Sequence, residues 1–283
     1  MDSLPPIQTV HLFRELENNL LATLLRLGHE DWHRPTICSR WTIKDIASHL
    51  LDGSLRRLSS FRDNYSSPDA PTEFPSYECL VDYLNQLNDD WTKATRRLSP
   101  RVLIQLLTIT GETVIGMFEL TDLFSDAPFP VSWAGDTRSP MWFDIAREYT
   151  ERWHHQRQIV DALERPTPID SPHLYHPVLE TFLRALPFTF GSIDAPNGTL
   201  VKVTIDGPAG GDWFLERDAG AWRLLPTANG SPSATVVIGQ DDAWKLFTKR
   251  MDRQAALQRF SSIRIHGNQD LGGRVLEMVS IMA

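Results

Sequence analysis

The chain has 283 residues, a net charge of −8, 41% apolar residues and 23% charged residues. That length is enough for two domains with separate cores, and the composition excludes a disordered chain. The acidic balance, with no basic run, argues against nucleic acid or an anionic membrane surface as partner, because both begin from a basic face.

No apolar run is expected to approach the ~18 residues that span a bilayer. The start, Met1 to Pro6, lacks the basic and apolar regions of a secretory signal. Cys38 and Cys79 are too few and too isolated for a disulfide framework. The expected compartment is the cytoplasm.

From residue 7 to about 165 the apolar spacing is helical. Leu12, Leu16, Leu20, Leu24 and Leu27 form one stripe, and Tyr83, Leu84, Leu87, Trp91, Ala94 and Leu98 another. Four long helices are predicted over 7–27, 42–64, 76–98 and 139–164, with a further helical stretch in 100–124 that lengthens the third connection. Ser139-Pro140 opens the fourth helix with a capping hydroxyl and a proline at its first position, and Arg165-Pro166-Thr167-Pro168 closes it. Long stripes and short loops predict a four-helix bundle over 1–165.

After a proline-rich linker at 166–172, the pattern changes. A helix is expected over 174–186, followed by strand-like runs at 200–205, 212–216, 221–224 and 234–238, where β-branched and aromatic residues alternate between turns. Helices near 240–249 and 270–282 flank a last strand around 263–265. Residues 173–283 are therefore expected to form an α+β domain on an antiparallel sheet.

The residues with chemical potential are His49, eight positions after Trp41, and the pair Glu151 and His155. A separation of four places Glu151 and His155 on one helix face, within reach of a single ion. With His49 beside them, two imidazoles and a carboxylate give three ligands to a divalent cation and leave a coordination position open.

The bland reading stands beside this one. At about 100° per residue, His49 lies with Asp45, Asp52 and Arg56, away from the Ile43, Ile46, Ala47 and Leu50 face. Glu151 and His155 lie about 130° from the centre of the Trp142, Ile145, Tyr149 and Trp153 face. Exposed Glu/His pairs of this kind are common and add only a few tenths of a kcal/mol. Against that, the stripe Asp144, Glu148, Glu151, His155 and Gln158 contains no lysine, and a cation would relieve its like-charge repulsion.

Asp31-Trp32-x-Arg34-Pro35-Thr36, then Trp41-Thr42-Ile43-Lys44-Asp45-Ile46-x-x-His49-Leu50, and later Glu151-x-x-x-His155-x-x-Gln158-Ile159, resemble the DinB-like, maleylpyruvate-isomerase-type family of mycothiol-dependent metalloenzymes. Glu151 stands where many relatives carry a first histidine. The stretches at 177–187 and 205–213 resemble the sterol-carrier-protein-like domain that follows the bundle in these enzymes. The resemblance implies a DinB-like four-helix bundle in which His49, Glu151 and His155 bind a divalent metal, with zinc favoured and nickel, iron or manganese compatible with the same donors. It further implies a low-molecular-weight thiol as cosubstrate and an electrophilic small molecule as substrate.

Those enzymes are also thought to use a basic residue of the second domain, whose equivalent among Lys202, Arg217 and Arg223 is unassigned. His154 is expected at the surface, and Gln158 either orients a ligand or is solvated. Trp133, in the loop 129–136, either covers a pocket or packs on the bundle. His173 and His176 adjoin prolines and are not taken as a metal pair. Gly207 to Gly211 is expected to be a turn, since no helix follows it to cradle a phosphate. No Cys-x-x-Cys or Gly-x-Ser-x-Gly element suggests a protein nucleophile.

The expectation is a thiol-dependent isomerase or S-transferase. A metal hydrolase with the same ligands, and a non-catalytic small-molecule or lipid-binding protein, are the alternatives. The sequence does not specify an oligomeric state.

Overall fold

The computed structural model describes residues 4–68, 70–71, 74–249 and 251–281. Contacts divide the chain into two compact units. One comprises Thr9–Asp122 with Glu151–Ile169, and the other Met1–Gln8, Leu123–Thr150 and Asp170–Ala283. The division between Ile169 and Asp170 falls inside the expected linker 166–172. That between Thr150 and Glu151 lies within a helix and has no counterpart in the sequence-based division.

The first unit is helical. It holds α1 (Phe13–Leu25), α2 (Ile43–Arg57), α3 (Tyr77–Thr95), α4 (Pro100–Glu119) and the C-terminal part of α5 (Met141–Leu163). α2 starts where the sequence supplies a capping box: Thr42 Oγ1 accepts from the Asp45 N–H at 3.3 Å, and Asp45 Oδ2 accepts from the Thr42 N–H at 3.0 Å. Thr42→Ala removes half of this exchange and is expected to cost about 1 kcal/mol in urea unfolding. α5 begins differently from expectation. Ser139 does not cap it; its hydroxyl donates to Asp136 and accepts from the Val131 N–H, which ties the preceding loop together.

The core of this unit joins Leu20 and Leu24 of α1, Ile43, Ile46 and Ala47 of α2, Leu103 and Leu107 of α4, and Ile159 and Leu163 of α5. α4 is thus more than a longer connection. It is the described helix long and apolar enough, by length and composition, to cross a membrane, which corrects the expectation that no segment approaches that limit. Leu103, Leu107, Val114, Ile115 and Phe118 bury one face of it, and a bundle's core helix meets the same criterion.

α4 also accommodates a charge. Arg152 of α5 donates to Glu17 Oε2 of α1 and to the Ser54 hydroxyl of α2, each at 2.9 Å, and both charged side chains are buried. A Cβ added at Gly111 would lie 2.5 Å from Glu17 Oε1. Gly111→Ala is therefore expected to destabilise the protein by about 1–3 kcal/mol through overpacking, although alanine is the better helix former by about 1 kcal/mol. Chemical unfolding checks the sign.

The second unit carries α6 (Pro172–Leu183), α7 (Leu186–Thr189), β1 (Leu200–Asp206), β2 (Gly211–Asp218), β3 (Ala221–Leu225), β4 (Ala234–Gly239), α8 (Gln240–Phe247), α9 (Arg253–Arg259), β5 (Arg264–Gly267) and α10 (Gln269–Val275). The strand order is β3-β2-β1-β4-β5. Alternation buries Val201, Val203 and Ile205 on β1 and Val236 and Ile238 on β4, against helices that contribute Trp244 and Phe247. The β1–β2, β2–β3 and β4–β5 pairs are antiparallel, but β1 and β4 run parallel, with Val203 opposite Val236. The sheet is mixed. Strand periodicity is the same in either direction, so the sequence pattern does not reveal that β4 returns beside β1 past the β2–β3 hairpin.

The glycine-rich segment is the β1–β2 turn. A Cβ at Gly210 would lie 1.9 Å from the Ile205 carbonyl oxygen, so the turn requires glycine there.

Candidate metal centre

His49 on α2 and Glu151 and His155 on α5 all belong to the helical unit. Each offers a ligand atom within 4.8 Å of the others, the one such group of three among the described residues. His155 Nε2 is 3.3 Å from Glu151 Oε2, and the His49 and His155 rings meet edge to face with centroids 4.7 Å apart. Tetrahedral ligands 2.0–2.2 Å from one ion are separated by about 3.3–3.6 Å.

His49 is neither solvated nor in the main core. It is half-buried on α2, and its Nδ1 is buried with no hydrogen-bond partner. Burial, then the nearby His155, then Arg56, hold its pKa well below the ordinary histidine range. That shift favours the neutral ring, the form a metal ligand requires. An orphaned ring nitrogen, a neutral imidazole and an adjacent carboxylate are a donor set that fits a divalent ion.

The other polar residues on this side of α2 are already engaged. Asp45 completes the cap, and Asp52 pairs with Arg56 at 3.0 Å. The position of α2 is fixed against α3 by Trp91 Nε1, which donates to the Ser48 carbonyl at 2.8 Å, and by the contact between the Ser48 and Thr95 hydroxyls.

Two residues, His154 and Asp144, behave differently from sequence expectation, and Gln158 is not solvated, which was one of its two expected places. His154 is buried rather than at the surface, with 3% exposure. Gln158 is also buried and joins both histidines, with Oε1 2.9 Å from His155 Nδ1 and Nε2 3.0 Å from His154 Nε2. Asp144 leaves the acidic stripe: it is fully buried and pairs with Arg147 within the other unit. Trp41, to which the sequence reading gave no role, has its ring centroid 4.8 Å from that of His49 and 6.0 Å from that of His155. Its signal was its place in the same motif as His49.

In the second unit, Trp133 is buried against Phe143, with centroids 5.9 Å apart. Lys202, Arg217 and Arg223 pair with Asp212, Asp194 and Asp218 at 2.9, 3.6 and 3.2 Å. None of the three stands out as the basic residue expected from the resemblance. His173 and His176 lie inside α6, where His176 Nδ1 contacts the Ala209 carbonyl at 2.9 Å.

Residues 13–159 match the family model described as the mycothiol maleylpyruvate isomerase N-terminal domain. The chain belongs to that family. The matched segment contains His49, Glu151 and His155. A solved structure of a variant of the mycothiol-dependent maleylpyruvate isomerase is similar to this chain with a TM-score of 0.52 and 14% identity, over 87% of this chain and 91% of that one. That likeness shows a common fold, a helical N-terminal region followed by an α+β part. A second structure of the mycothiol-dependent maleylpyruvate isomerase gives a TM-score of 0.48 and 13% identity over the same shares. Sterol carrier protein 2 like 2 of Aedes aegypti gives 0.26 and 20% over 36% of this chain and 95% of that one. No curated protein matches the sequence.

Proposed function

We propose that this member of the mycothiol maleylpyruvate isomerase family is a thiol-dependent isomerase or S-transferase whose metal is held by His49, Glu151 and His155. The observation that carries the reading is the meeting of these three residues from two helices far apart in sequence. Zinc suits two imidazoles and one carboxylate. A divalent cation at that position supplies the positive charge that lowers the pKa of a coordinating thiol.

The chain's own residues favour an anionic thiolate there. A donor set of two imidazoles and one carboxylate would leave a divalent ion with net positive charge. Trp41 places an apolar indole beside both imidazoles, which would limit water at the site and strengthen electrostatic interactions there. Addition of a thiolate to a conjugated double bond, rotation about the bond made single, and loss of the thiolate give cis–trans isomerisation. Displacement of a leaving group gives S-transfer instead. We further propose the family arrangement of a bundle to residue 165, a linker at 166–172 and a sterol-carrier-like domain over 173–283.

Metal-loaded protein incubated with a low-molecular-weight thiol and an electrophile is expected to form thioether, or to isomerise the electrophile, only when both thiol and metal are present. Turnover that needs metal but no thiol contradicts this and leaves the hydrolase reading. Protein with no metal after expression in metal-supplemented medium contradicts both and leaves a non-catalytic binding protein.

A further inference from the structure

The buried carboxamide of Gln158 lies between two imidazoles, and this constrains where their protons sit. A primary amide has one accepting end and one donating end. Its oxygen faces His155 Nδ1 at 2.9 Å and its nitrogen faces His154 Nε2 at 3.0 Å. Gln158, His154 and His155 are 6%, 3% and 7% exposed, so water is a poor substitute for either contact, and a mismatched pair inside the unit is penalised.

We propose that Gln158 is a positioning residue that fixes the tautomer of His155, keeping a proton on Nδ1 and leaving Nε2 as a lone-pair donor toward Glu151 and His49. The inference rests on the metal reading above for its purpose, but its geometry is independent of any bound ion. With Gln158 Oε1 accepting from His155 Nδ1–H, the amide N–H donates to His154 Nε2, and His154 carries its own proton on Nδ1. His155 Nε2 then faces Glu151 Oε2 at 3.3 Å with both atoms presenting lone pairs. Two acceptors at that distance repel unless a cation lies between them.

The opposite amide orientation has the reverse consequence. It would place a donor against His155 Nδ1, move the ring proton to Nε2, and turn Glu151 and His155 into an ordinary hydrogen-bonded pair unable to share an ion. Gln158 therefore separates a ligand pair from a merely structural one. His154, whose ring centroid lies 5.0 Å from that of His155, meets the far end of the amide.

The test uses full-length protein with nitrogen-15-labelled histidine, first without metal at pH 8 and then in zinc titrations against a chromophoric chelator. His155 Nδ1 is expected to carry a proton in the wild type. Gln158→Met, which keeps the length of the side chain and removes both polar ends, is expected to lose that preference and to weaken zinc binding by about 10–100-fold. Gln158→Glu retains an acceptor for Nδ1–H and is expected to recover most of the affinity, a rescue that restored packing alone would not give. An unprotonated His155 Nδ1 in the wild type overturns the proposal, as does unchanged zinc affinity in a cooperatively folded Gln158→Met protein. A Gln158-dependent Nδ1 proton in a wild type that takes up no zinc supports the clamp while refuting the proposed function.

Discussion

Arg152→Ala is expected to destabilise the protein by about 3–5 kcal/mol at neutral pH, the usual consequence of leaving a buried charge without its partner. Arg152 and Glu17 are 6% and 4% exposed, and the guanidinium also serves the Ser54 hydroxyl. Burial already raises the Glu17 pKa above the ordinary carboxylate range, with Arg152 acting against it and Glu112 adding to it. Removing Arg152 leaves only the raising influences.

The sign of the pH dependence follows from that shift. Between the unfolded value, 4.5, and the higher folded value, the folded state binds a proton that the unfolded state does not, so stability increases as pH falls through that window. The deficit of Arg152→Ala relative to the wild type should therefore shrink between pH 7 and pH 5 in urea unfolding. A deficit that stays below about 1 kcal/mol, or that grows in acid, contradicts this account. Replacing both partners with apolar residues, Glu17→Leu with Arg152→Met, should recover much of the loss, because neither charge is then left unpaired.

His49→Ala is expected to weaken zinc binding by on the order of 100–1,000-fold. The figure follows from sharing the roughly 10–16 kcal/mol of a four-ligand zinc site among its ligands, which gives about 2.5–4 kcal/mol for each. His155→Ala should behave in the same way. His29, with a side chain 85% exposed on a loop, is the control, and its replacement by alanine should leave affinity unchanged. Competition titration against a chromophoric chelator reads all three. Equal affinity in His49→Ala and wild type would mean that α2 contributes no ligand.

The sequence made parts of this arrangement legible for identifiable reasons. Ile43, Ile46, Ala47 and Leu50 recur at helical spacing and all are buried, and the helix begins close to the start of the predicted span 42–64, with Thr42 and Asp45 as its capping pair. On β1, alternation places Val201, Val203 and Ile205 inside. Glu151 and His155 needed only the geometry of one helix to be paired, whereas their meeting with His49 depends on how α2 and α5 pack.

What the sequence concealed lies mostly on α5. Wheel analysis assumes that apolar residues mark the buried side, but Arg152, Trp153, His154, His155 and Gln156 are successive residues and all are buried. Such a helix has no solvated face in this stretch, and its polar residues are retained by partners such as Glu17 for Arg152 and Gln158 for His154 and His155. The same limit hid Asp144, fully buried with Arg147. The parallel β1–β4 pairing was hidden for a different reason, since side-chain alternation carries no information on strand direction.

The central claim is that His49, Glu151 and His155 hold one ion, and the most direct test is anomalous diffraction at the zinc edge from crystals grown with zinc. The account predicts one strong anomalous peak about 2.0–2.2 Å from a nitrogen of His49, a nitrogen of His155 and a carboxylate oxygen of Glu151. A zinc-loaded crystal with no peak among these three side chains, or with a peak touching only one of them, would contradict it.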